Sequence, residues 1–155
     1  MQNSSPISLI TLKKEVELNL INLKKVTKDD QKLLALWAAD CAEHVLHYFE
    51  KEFPKDKRPR EAIKACRKWA RTGIFKMAVI RKASLDAHAA ARSAKEDSPA
   101  RFSARSAGQA VAVAHVATHA PGAAMYALKA VGIAKHDRER KWQNKHLPKR
   151  LKKTK

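Results

Sequence analysis

Apolar residues recur at helical spacing along most of the chain. Leu34, Trp37, Ala38, Cys41, Val45, Tyr48 and Phe49 share one helix face, and Thr27-Lys28-Asp29-Asp30 ahead of them has the character of an N-terminal cap. This predicts a helix from the cap to about Phe53. The preceding stretch, Ile7 to Val26, is mixed: Val16 to Leu20 alternates as a strand would, while the whole has the Leu/Lys/Glu composition of a helix. It is expected to be a helix or an arm packed on the body. After a charged loop, Pro54 to Pro59, a second helix is predicted from Arg60 to Arg71, with Pro59 in its first turn and a stop at Thr72-Gly73.

A third helix, Phe75 to Lys95, turns Ile80, Ala83, Ala87, Ala90, Ala91 and Ala94 inward. Ser98 and Pro99 read as the cap and first position of a fourth, which carries Ala100, Ala104, Ala107, Gly108, Val111, Ala114 and His115 on one face to about His119. Pro121 either kinks that helix or starts a fifth, ending near Gly132. A last helix holds Trp142 and fades after Pro148. The fold class is all-α, an antiparallel bundle or stacked hairpins of about six helices. Residues 27–148 are expected to form one helical domain, with residues 1–26 as an N-terminal extension or arm and 149–155 as a basic C-terminal tail.

Composition sharpens the packing. Ala83 to Ala134 places 19 alanines in 52 residues, so backbones there can approach closely. A larger side chain at Gly108 or Ala107 is expected to overpack that seam. With only four glycines and six prolines, the chain lacks the turns of an all-β fold. Cys41 and Cys66 lie in predicted helices without a CxxC spacing, which suggests reduced, structural thiols. The chain shows neither signal-peptide order nor an apolar run of membrane-spanning length, so a cytoplasmic location is expected and no membrane partner.

Charge points to partners. The chain carries 33 Lys and Arg against 15 Asp and Glu, a net +18. Residues 135–155 alone contribute +8, having ten basic and two acidic side chains. Such a surplus favours an anionic partner, whether nucleic acid, acidic protein or anionic lipid; the alternative is a solubilising tail. Arg60, Lys64, Arg67, Lys68 and Arg71 fall on one helical face able to track phosphates, joined in that role by Lys149, Arg150, Lys152 and Lys153 of the tail. No helix-turn-helix signature or aromatic stacking platform accompanies them. Trp37, Trp69 and Trp142 read as core or seam anchors.

Candidate chemistry centres on histidine. His115 and His119 stand at i, i+4, a spacing at which two imidazoles of one helix can share a zinc ion, with a third ligand from His88 or Asp40. His115-Val116-Ala117-Thr118-His119 lacks the glutamate of a zincin motif. The competing expectation is a buried, hydrogen-bonded cluster of Asp40, His88, His115 and His119 that is structural and holds no cofactor, or one that binds a small ligand. Glu43 and His44 are weaker candidates, and Cys41 with His44 reads as a core thiol beside a surface imidazole. No nucleophile elbow, P-loop, dinucleotide fingerprint or EF-hand loop occurs, so no enzyme activity is expected.

Four stretches together resemble a known family: Leu36-Trp37-Ala38-Ala39-Asp40-Cys41-Ala42-Glu43, Arg58-Pro59-Arg60-Glu61-Ala62-Ile63, Ala87-His88-Ala89-Ala90-Ala91-Arg92, and Ala107 through Ala120. Their order and spacing are similar to the type-5-like immunity proteins associated with bacterial polymorphic toxins. Glu139-Arg140-Lys141-Trp142-Gln143 and Leu147-Pro148 resemble its closing helix, and the likeness runs from about Leu33 to Pro148. The resemblance implies an all-helical, non-catalytic protein that binds and neutralises a cognate toxin by occlusion. A strongly basic immunity protein is expected to meet an acidic toxin. Beside this stand a basic nucleic-acid-binding helical protein, and a small metal- or ligand-binding domain built on the histidines.

Overall fold

A computed structural model describes residues 7–154, which form eight α-helices, four 3-10 turns and one isolated bridge. Helix α1 is Leu9–Glu17, α2 Lys28–His44, α3 His47–Glu52 and α4 Arg58–Thr72. Helix α5 is Met77–Ser93, α6 Pro99–Ala112, α7 Ala120–Val131 and α8 His136–His146. The all-α expectation holds. None of these helices is long and apolar enough to cross a membrane.

Local chemistry sets several boundaries as the sequence predicts. The Thr27 hydroxyl accepts from the Asp30 amide and Ser98 from that of Arg101, each satisfying a first-turn donor. Pro59 and Pro121 occupy first-turn positions of α4 and α7, so Pro121 starts a helix rather than kinking one. Gly73 ends α4 in the left-handed region at φ 70°. Ahead of α2 the chain is helical at α1 and then runs as an arm.

Two predicted helices are broken instead. The helix expected to reach Phe53 stops at His44, because the buried Ser103 hydroxyl of α6 donates to the Val45 carbonyl at 2.9 Å and a tight turn replaces the ladder. The helix expected to reach His119 stops at Ala112. There the buried Gln31 amide of α2 donates to the Val113 and Ala114 carbonyls at 2.8 and 3.2 Å, capping α6 from outside.

Helix α6 is the centre of the molecule. It packs most extensively against α5 and α7 and also meets α2, α3 and α4. Its small residues Ala100, Ala104, Ala107, Gly108 and Ala110 are buried, so the neighbouring helices come close. Trp37, Leu34, Phe49, Ile63 and Leu128 supply the bulk around it. The expected basic tail is docked: Leu151 is fully buried, Leu20 pairs with Lys152, and the Ile21 and Lys153 amides donate to Leu151 and Asn19.

Candidate functional site

Of the four residues expected in one buried cluster, Asp40 stands apart, while His88, His119 and His115 remain neighbours, each close enough to shift the titration of the next. Asp40, on α2, has a side chain 46% exposed and accepts from Arg67 at 2.8 Å; it makes no hydrogen bond to any histidine. His115 lies in the turn after α6, exposed, with its ring beside Phe75 at 6.3 Å. His119 sits in the following 3-10 turn, so the i, i+4 pairing on one helix is lost. Gln31 draws the chain out of α6 at Val113, so His115 and His119 come from a turn and a 3-10 segment rather than one helix, yet both still line one groove.

His88 is engaged on both sides. The Arg105 guanidinium can only donate, so the 2.9 Å contact makes His88 Nδ1 the acceptor and leaves the proton on Nε2. Nε2 in turn presses on Gly108, where an added Cβ would stand only 2.6 Å away. Burial, then the charges of Arg105 and Arg92, push the His88 pKa down to about 4. Burial and then the neighbouring His115 lower that of His119, whose Nδ1 donates to Gln109 Oε1 at 3.0 Å. Among the described residues no group of three or more His, Cys, Asp or Glu is arranged to hold a metal ion.

Helix α4 differs from the expected phosphate-tracking face. Arg60 is bidentate to Glu50 at 2.7 Å and reaches Glu43, Arg67 bridges Asp40 and Glu43 at 2.8 Å, and Lys64 pairs with Glu61 at 3.6 Å. The hydrogen bond from Arg67, then the charges of Arg67 and Arg60, hold the Glu43 carboxyl below its usual range. Of that set, Lys68 and Arg71 are exposed with no ion pair among the described residues. In the tail Arg150 pairs with Asp30 at 2.7 Å, while Lys149 and Lys153 stay exposed and Lys152 is half-buried at the bridge.

The thiols are structural in placement. Cys66 donates to the Ala35 and Ala110 carbonyls, and burial pushes its pKa up to about 12. Burial raises Cys41 further from ionisation, and both cysteines are free. His44 turns away from Cys41 to meet the buried Glu139 at 2.7 Å and stacks on Trp142 with ring centroids 3.7 Å apart. Trp37 and Trp69 are buried, as core anchors should be.

What sequence reasoning passed over is the row of arginines that the seam between α5 and α6 assembles. Ser84 donates to the Gly108 carbonyl and His88 meets Arg105, so the two helices run antiparallel in that register. The register brings Arg92 opposite Arg101 one turn further on. None of the ion pairs among the described residues involves Arg81, Arg92, Arg101 or Arg105. The signal was present as i, i+4 spacing, His88 to Arg92 and Arg101 to Arg105, but only the antiparallel register turns two short pairs into one row.

The sequence pattern of the Imm-5 like putative immunity protein family matches residues 24–150. The chain belongs to this family. The match takes in every helix from α2 to α8 and leaves α1 outside it. No curated protein and no solved structure is similar enough to the chain to count as a match. As a member of an immunity-protein family the chain is a candidate for a protein partner.

Proposed function

We propose that the chain is a non-catalytic binding protein that neutralises a toxin by covering its working surface. Family membership over residues 24–150 is the observation that carries this reading. The side-chain chemistry is consistent with it: both thiols are buried and un-ionised, and His88 is held at Nδ1 by Arg105 and packed over Gly108. An occluding protein needs a rigid body with an adhesive face rather than a reactive centre. The close-packed α5–α6–α7 core supplies that body.

Co-expression tests the reading. A gene beside this one should encode a toxin domain, and cells producing that domain should survive when the chain is present and die when it is absent. Purified chain should inhibit the toxin's activity at one-to-one stoichiometry. Failure to protect, or protection without any physical complex, would overturn it.

A further inference from the structure

We propose that the face formed by α5 and α6 is the toxin-docking surface, and that it takes an acidic protein surface bearing an apolar side chain; this rests on the immunity reading above. At one end lies an open groove of about 340 Å³ lined by Met77, Ile80, Leu85, Ala112 and His115, with Arg81 and His119 at its edge. Leu85 is 56% exposed and Met77 44%, and Phe75, beside His115, is 42% exposed. Large apolar side chains grouped in this way mark a contact site more often than isolated ones do.

From that groove a row of arginines runs along the seam: Arg81, then Arg105 beside the neutral His88, then Arg92 with Arg101. On α5, Arg81 to Arg92 spans about 16 Å at the helical rise. Among the described residues the row has no carboxylate partner, as Arg71, Arg138 and Arg140 have none, whereas Arg58, Arg60, Arg67 and Arg150 are each paired. Burial is the main cause that lowers the Arg105 pKa; Tyr126 opposes it, and the nearby charges of Arg101 and Arg92 add to the lowering. An anionic surface would relieve the repulsion among these arginines on binding.

Two features favour protein over nucleic acid as the occupant. Met77 and Leu85 in the groove, and Phe75 beside it, offer nothing to phosphate or sugar, and covering them requires apolar partner atoms. The chain also holds twice as many lysines as arginines, 22 against 11, yet the unpaired cations of the row are arginines. Arginine, methionine and aromatic residues are the types enriched in protein interfaces, and lysine is depleted there.

Protection from the neighbouring toxin domain is measured for the full chain and three double variants, each checked by thermal melting. R92E/R101E reverses the row, M77S/L85S removes the groove's apolar atoms, and K68E/R71E applies the same charge change on α4. Wild type and K68E/R71E should protect. The two face variants should lose on the order of 100-fold in affinity for the purified toxin domain, with slower association for R92E/R101E. Protection by either face variant, or equal loss in K68E/R71E, would overturn the proposal and leave the immunity reading standing. Loss of short-duplex DNA binding in R92E/R101E with protection intact would assign the row to nucleic acid and overturn it as well. If wild type itself does not protect, both readings fall together.

Discussion

Gly108 is where one hydrogen atom decides a helix seam. A methyl group there would meet His88 Nε2 at 2.6 Å, and His88 cannot withdraw freely because Arg105 holds its other nitrogen. Gly108→Ala should destabilise by about 1–3 kcal/mol through overpacking, read as a lower midpoint in chemical denaturation. The sequence foretold the close approach from the small residues around Gly108, but it put His88 in a different cluster. His88 also makes stability depend on pH. Its folded pKa, about 4, lies below the ordinary 6.5, so between those values the unfolded chain binds a proton that the folded one refuses. Stability is therefore full above pH 6.5 and falls as pH drops toward 4. Carboxylates add slope in the same direction, so the check is a comparison: His88→Gln should flatten denaturation midpoints measured across that window relative to wild type.

At the scale of elements, boundaries divide by where their cause lies. Thr27, Ser98, Pro59 and Gly73 act within a few residues of themselves, and each ends or starts a helix where the sequence placed it. The breaks at Val45 and Val113 have causes 58 and 82 residues away, in the Ser103 hydroxyl and the Gln31 amide. No local pattern carries that information. Gln31→Ala should leave the Val113 and Ala114 carbonyls short of a buried donor and cost about 1–3 kcal/mol. Amide exchange should quicken first at residues 113–119, the segment that holds His115 and His119. Unchanged exchange there would mean the turn is held by its own residues.

Across the whole molecule, the C-terminal segment behaves as part of the fold. Leu151 is fully buried, and the backbone of residues 151–153 pairs with the arm at Asn19 to Ile21. Leu151→Ala should lower stability by about 2–5 kcal/mol, the range for a buried leucine, and a detached tail would show no change in thermal melting. The charge pattern changes in the same way once the chain is folded. Helix α4 was the natural choice for a basic face, since five cations stand on it at helical spacing. Folding sets Asp40, Glu43 and Glu50 beside Arg60 and Arg67 and neutralises those two, while α5 and α6 bring their arginines together with no ion-pair partner among the described residues.

The sequence by itself determined the helical class, the capped boundaries, the small-residue seam and the family, because each is written in neighbouring residues or in motif order. It also placed Trp37, Trp69 and both cysteines in the interior through their positions on apolar faces. Tertiary structure alone decided which polar groups are satisfied and which are left facing outward. That depends on partners brought from distant parts of the chain: Arg67 for Asp40, Arg105 and Gly108 for His88, Gln31 for the end of α6. Hydrogen bonds and ion pairs are short-ranged, so helical spacing shows which residues share a face and only packing shows what that face meets.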